Sequence, residues 1–199
     1  VPSLFTFNTS TQWAKELSGI AVNASVHLLS QDGKSLKIAE TAPMLFTHNG
    51  FSGPAVLRAS AWGARVLAEY NYRCLMEVNF TAHNSEALTY DETLLLLQDC
   101  KQHNGRKTMQ NLALFDLPKR LWNALLDSAG IAPAQSWAEL NKSQLRHLAE
   151  ILTQCRFPIE GKATFKDEFV TAGGVKLSEI NFKTYESKLH PHLYLAGEV

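Results

Sequence analysis

The sequence predicts an α+β protein: a small β-barrel-like unit, then a helical bundle, then a short return segment. Three observations predict it. Apolar and polar residues alternate over 22–28 and 74–80, the period of half-buried strands. From Tyr90 to Gln154 the apolar spacing becomes helical. Between the two strand patterns lies Pro43-Met44-Leu45-Phe46-Thr47-His48-Asn49-Gly50-Phe51-Ser52-Gly53-Pro54, an apolar run that meets a Gly-rich elbow and restarts as a helix. The expected division is 1–82 for the β-rich unit, 83–156 for the helical unit and 157–199 for the return segment.

Residues 1–9 enter extended, with Leu4, Phe5 and Phe7 as apolar anchors. Thr9, Ser10 or Thr11 can cap a short helix that Gly19 ends. Val22, Ala24, Val26 and Leu28 form one face of a strand, and His27 lies on its polar side. Asp32-Gly33 signals a two-residue hairpin turn, with residues 35–40 as the returning strand. Met44, Leu45 and Phe46 suit a buried strand. Ser52 is the expected N-cap of a helix from Pro54 to about Tyr70. Cys74, Met76, Val78 and Phe80 share one face of the next strand. These elements make an incomplete barrel that another segment must complete.

The elbow carries the chemistry of interest. A helix start presents unpaired N–H groups and a partial positive charge, and Gly50 and Gly53 remove bulk that would block a ligand. His48 adds a titratable donor beside it. Gly50, Ser52 and Gly53 are therefore the candidate substrate or anion pocket, and His48 the candidate catalytic group. The same residues also make a tight strand-to-helix turn whose capping needs no ligand.

The helical unit opens after a linker at His83-Asn84-Ser85. Asp91 can cap a first helix ending at Asn104-Gly105, and residues 108–116 give a shorter turn. Pro118 opens the next helix, with Leu121, Trp122, Leu125 and Leu126 apolar, and Gly130 closes it. Asn141 caps the last, carrying Leu145, Leu148, Ala149 and Leu152. Lys101, Arg106, Lys107, Lys119, Arg120 and Arg146 are scattered among acidic residues, which favours a solvated surface over a nucleic-acid partner.

Composition sets further bounds. The 199 residues are 45% hydrophobic, which argues against disorder. Nineteen basic residues balance nineteen acidic ones, so the mean charge makes no case for nucleic acid or an anionic membrane. Apolar runs such as Leu94–Leu97 are too short to span a bilayer. Cys74, Cys100 and Cys155 are odd in number and widely spaced, giving neither a redox pair nor a metal set; reduced thiols and a cytoplasmic location are expected.

Two motif blocks carry a resemblance. Phe46-Thr47-His48-Asn49-Gly50-Phe51-Ser52-Gly53-Pro54 resembles the F-T-H-x-G-x-S-G-P signature of a family of bacterial flavoproteins, the NAD(P)/FAD-dependent, aminoacetone-oxidase-like oxidoreductases, some linked to bile-acid reduction. Val170-Thr171-Ala172-Gly173-Gly174-Val175, Glu179-Ile180, Thr184-Tyr185-Glu186-Ser187-Lys188 and Leu193-Tyr194-Leu195-Ala196-Gly197-Glu198 are similar to that family's V-T-x-G-G-V…E-I…T-M-E-S-K…G-L-Y-F-A-G-E pattern. Tyr185 stands where the pattern has Met, and His192 where it has Gly. Val1-Pro2-Ser3-Leu4 also resembles the family's entry into this region, so the likeness covers nearly the whole chain.

The resemblance implies a dinucleotide-binding strand, a G-x-G-x-x-G turn and a helix, and this sequence contains no such motif. The expectation is a fragment: the insert of a two-dinucleotide-binding-type flavoprotein, with an orphaned piece of the FAD domain at its end. FAD is the implied cofactor of the intact protein, not of this chain alone, with NAD(P)H as a possible reductant. By resemblance Glu198 would accept a hydrogen bond from the ribityl chain, Gly173, Gly174 and Gly197 would admit the flavin to the backbone, and Thr171 would offer a hydroxyl. Read without the family, Gly173-Gly174 is a plain turn and Glu198 a surface acid. The insert would cover the flavin face and shape a small-molecule substrate pocket at His48, and the helical unit would act as a lid or subunit contact. The missing FAD domain is the expected partner, with neither nucleic acid nor membrane. A non-catalytic interaction module is the alternative; it would form a stable monomer, whereas the insert would expose apolar surface where the FAD domain docks.

Overall fold

A computed structural model describes residues 1–83, 86–163 and 170–197. The described elements run β1 (Pro2–Ser3), β2 (Phe7–Thr9), α1 (Gln12–Glu16), β3 (Ala21–Leu29), β4 (Ser35–Phe46), β5 (Gly50–Ser52), α2 (Pro54–Trp62), α3 (Ala64–Glu69) and β6 (Cys74–Asn79). The helical insertion follows with α4 (Tyr90–Asn104), α5 (Lys119–Ser128) and α6 (Lys142–Gln154). Then come β7 (Cys155–Lys162), β8 (Val170–Thr171), β9 (Ile180–Asn181) and β10 (Glu186–Ser187). The α+β class holds: six strands close an antiparallel barrel in the order β2-β5-β4-β3-β6-β7.

Closure comes from β7. It pairs with β6 through Met76↔Phe157 and Val78↔Cys155, and with β2 through Asn8↔Gly161. The first five barrel strands precede the helical insertion and the sixth follows it. Helix α6 runs straight into β7, so no linker separates the insertion from the closing strand. Strand alternation places Phe7, Val26, Leu28, Met44, Phe46, Phe51, Met76, Val78 and Phe157 out of water. Four phenylalanines from different parts of the barrel connect in series: Phe80 to Phe46 at 6.4 Å, Phe46 to Phe51 at 5.5 Å, Phe51 to Phe157 at 4.8 Å between centroids. Burying each ring contributes about 1.5–3 kcal/mol.

Glycine decides how β5 enters. A Cβ at Gly50 would lie 2.1 Å from the Phe7 carbonyl oxygen and 3.0 Å from Asn8 Cα, so only glycine lets β5 lie against β2. Gly53 has φ +88° and caps α2, ahead of Pro54 at its first position. Ser52 is therefore not the N-cap; it lies in β5, opposite Leu45. The expected single helix to Tyr70 is two helices, broken at Gly63, where a Cβ would meet Ile38 Cδ1 at 2.6 Å.

Other local differences have simple causes. The β3–β4 loop holds five residues, since Leu29 pairs with Ser35; the Ser30 hydroxyl bonds the Lys34 backbone on both sides and stretches the turn beyond Asp32-Gly33. Helix α4 is capped by Thr89 rather than Asp91, because Thr89 and Glu92 form a reciprocal capping box. Residues 109–111 are a single 3-10 turn. Asn141 caps α6 as expected, accepting from the Gln144 N–H at 2.9 Å. Leu121, Trp122, Leu125 and Leu126 of α5 are fully buried, and the Trp122 indole donates to the Met109 carbonyl at 2.7 Å. At the mouth of the insertion, Asn79 donates to the Leu88 carbonyl and its own carbonyl accepts from Thr81, which fixes the exit from β6. Leu193–Ala196 is not a buried strand; Tyr194 makes one bridge to Glu186, and Leu193 and Tyr194 are exposed.

Replacing Gly50 with alanine should lower stability by about 3 kcal/mol, because backbone blocks the new methyl group. Urea unfolding of Gly50→Ala measures it, and an unchanged midpoint would show that β5 does not need this close approach.

Candidate functional site

The residues singled out in the elbow form the tip and return strand of a tight hairpin. Thr47 N–H donates to the Gly50 carbonyl at 2.8 Å, and the Gly50 N–H donates back to Thr47 Oγ1 at 3.1 Å. His48 and Asn49 occupy the tip, both exposed. The Asn49 carbonyl accepts from the Thr9 N–H at 3.0 Å, which ties the tip to β2. A cleft of about 280 Å³ opens here at the barrel rim, lined by Thr6, Asn8, Leu45, Thr47, His48, Asn49, Ser52 and Ala163.

The cleft gathers His48 and Ser52 and adds two residues of β2 and its approach. Asn8 donates to the Lys162 carbonyl at 3.3 Å, and Ala163 N–H donates to the Thr6 carbonyl at 2.9 Å, so the closing strand forms one wall. Thr6 and Asn8 were missed in the sequence, although polar residues alternating with Phe5 and Phe7 mark them as facing outward. The helix start contributes less. Ala55 and Val56, the first residues of α2 that retain an N–H, are fully buried, and Gly50 is buried too. The polar side chains lining the cleft are thus the His48 ring, the Ser52, Thr6 and Thr47 hydroxyls and the Asn8 and Asn49 amides.

Of the described residues expected to contact FAD, none lines this cleft. Thr171 pairs with Pro2 in the two-stranded β1–β8 sheet. Gly173 and Gly197 have φ +130° and +90°, and a Cβ on either would meet nothing within 4 Å. Gly174 has φ +137°. Glu198 lies outside the described residues, as do residues 164–169. Among the described residues no cluster of His, Cys, Asp or Glu could hold a metal ion, and no helix is long and apolar enough to cross a membrane.

The cysteines are outside the cleft. Burial pushes the Cys74 and Cys155 thiols up to about 12, and burial with the Asp99 charge beside it raises Cys100 less far.

A closed antiparallel barrel with a capped helical insertion ahead of its last strand defines a two-part barrel and helix domain. Residues 1–170 match the family described as HI0933-like protein barrel and H2TH domain, and the chain belongs to that family. It is similar to a ribosomal RNA dihydrouridine synthase of Haemophilus influenzae, 29% identical over 98% of this chain and 43% of the relative. A protein of the same description in Escherichia coli is 32% identical over 78% of this chain and 35% of its own length. A 3-dehydro-bile acid delta(4,6)-reductase of Clostridium scindens is 27% identical over 100% of this chain and 47% of the relative. The chain thus spans less than half the length of each of these relatives. The bile-acid reductase agrees with the resemblance carried by the two motif blocks; a ribosomal RNA enzyme was not anticipated from them.

At neutral pH a raised thiol pKa leaves little thiolate, the reactive form. A chromogenic disulfide reagent should therefore modify Cys100 first, with Cys74 and Cys155 reacting only on unfolding. Rapid reaction of all three thiols in the native protein would contradict the burial of β6 and β7.

Proposed function

We propose that this chain is the substrate-side domain of a flavin-dependent reductase that saturates a carbon–carbon double bond conjugated to a carbonyl. The observation that carries this reading is the chemistry shared by relatives of different substrate. A dihydrouridine differs from uridine by two hydrogens across a ring double bond next to a carbonyl. A 3-dehydro steroid with delta(4,6) unsaturation presents a double bond conjugated to its ketone. This chain aligns over nearly its full length with a relative of each kind.

The exposed tail supports a larger intact protein. Leu177, Phe182 and Leu189 are 67%, 61% and 62% exposed, and Tyr185 and Tyr194 are similarly open. Apolar surface gathered on one segment calls for a covering partner. In this proposal the cover is the FAD domain, built from sequence outside this chain, and the contacts of Thr171, Gly173, Gly174, Gly197 and Glu198 with flavin are completed only there. The interaction-module alternative predicts no such face.

The flavin, when bound, supplies the hydride, and NAD(P)H is the proposed source of its electrons. The chain's own residues handle the carbonyl. The His48 ring, exposed on the hairpin tip with no hydrogen bond among the described residues, donates a hydrogen bond to the substrate carbonyl as hydride reaches the β carbon, and solvent supplies the proton that completes the α carbon. The Ser52 hydroxyl adds a second donor. The barrel wall excludes water on that side of the cleft. With three unpaired cysteines and no membrane-crossing helix among the described residues, a reducing cytoplasm is the proposed location.

In the complete protein, His48→Ala should slow double-bond reduction by about a hundredfold or more, with stability within about 0.5 kcal/mol of the parent. Single-turnover reduction of a ribosomal RNA fragment and of a steroid dienone by the pre-reduced enzyme measures the loss. Unchanged rates on both would remove His48 from the chemistry.

A further inference from the structure

We infer that the groove between α4 and α6 is a binding site for the sugar-phosphate backbone of single-stranded RNA. The groove has a volume of about 590 Å³ and lies on the helical insertion; it shares no residue with the cleft at His48. Leu94, Gln98 and Gln102 line it from α4 at four-residue spacing, which puts them on one helix face. Lys142 and Arg146 line it from α6, again one turn apart, with Leu145 between them. Lys101 completes a set of three cations.

The charge is one-sided and unspent. Among the described residues no carboxylate lines the groove. Most nearby acids are engaged: Glu92 and Glu139 hold the Thr89 and Ser136 caps, Asp99 pairs with His103, and Glu150 pairs with His147; Asp91, at the start of α4, does not line the groove. Among the described residues neither Lys142 nor Arg146 makes an ion pair within 4.0 Å, and both are exposed. Lys101 donates to the Leu140 carbonyl, which holds its ammonium at the edge of the groove with donors to spare. Lys142 is also the first residue of α6, so the positive end of that helix adds to the field.

The lining matches a nucleic-acid strand better than a folded acidic protein. Cations at four-residue spacing meet a charged backbone, the Gln98 and Gln102 amides can bond base edges or ribose, and Leu94, Leu145 and Ala138 offer an apolar floor for a base face. The balanced net charge hid this, because the average over the sequence says nothing of which charges the fold gathers. The inference rests on the proposed reductase in one respect: it makes an RNA base the substrate of that reaction and the groove the place that holds the rest of the strand.

The test is equilibrium binding of the full chain to a fluorescein-labelled oligouridine strand across a salt series. Lys142→Gln with Arg146→Gln is compared with Lys37→Gln and Arg65→Gln, an equal loss of exposed charge on the barrel side of the chain. The groove variant should bind about tenfold more weakly, and its slope of log affinity against log salt should fall by about 1.4, the loss of two phosphate contacts to a single strand. The barrel variant should bind like the parent. No binding by the parent, equal weakening in both variants, or groove-dependent binding to phosphatidylglycerol vesicles without binding to RNA would each overturn the inference. The two proposals fail separately. A complete protein that binds RNA through this groove but reduces no conjugated double bond loses the reaction and keeps the groove. One that reduces a steroid dienone and ignores RNA loses the groove alone.

Discussion

Barrel closure by β7 is the constraint on which the rest of the structure depends. Without it, β6 and β2 would each expose an unpaired edge, and the phenylalanine series would end at Phe51. With it, Phe157 packs 4.8 Å from Phe51 and 5.2 Å from Trp13, which joins the return strand to the hairpin of the site and to α1. The helical insertion is also held by that strand, since α6 continues into it and Leu152 accepts a hydrogen bond from Phe80 N–H at 2.8 Å. Arg120 adds a second tie, donating to the Glu16 carbonyl at 2.5 Å. The rim cleft and the α4–α6 groove are thus parts of one packed body rather than features of separate units.

Much of this was legible from local signals. Val22 to Leu28 and Cys74 to Phe80 announced strands because one face of each is buried and one is not. Leu121, Trp122, Leu125 and Leu126 announced α5 for the same reason at helical period. Less legible were the features set by distant partners. Ser52 has the composition of a cap, yet β5 pairs it with β4, and the tertiary ladder overrides the local preference. The Pro54–Tyr70 helix breaks at Gly63, where Ile38 packs too close for a Cβ, and nothing near Gly63 in sequence points to that contact. The return segment was expected from residue 157, but the place of β7 beside both β2 and β6 is a matter of topology.

The site divides in the same way. His48, Gly50, Ser52 and Gly53 lie close in sequence, and a hairpin keeps most of them close in space. Asn8 and Ala163 reach the cleft from far along the chain, so no local pattern could group them. The residues proposed to contact flavin rest on a resemblance alone, and Gly173 and Gly197 face open space here. Lys101, Lys142 and Arg146 are separated along the sequence and meet only because α4 packs on α6. In the proposed reading, the donor at the cleft meets a reactive ring and the cationic groove holds the charged remainder of the strand.

The central claim is that this domain serves a flavin held by the rest of its protein. The most direct measurement is the visible absorption spectrum of protein purified from the complete reading frame, beside that of this chain mixed with FAD and freed of excess cofactor. The account predicts the bands of bound flavin in the first and none in the second. A complete protein that never retains flavin would contradict it.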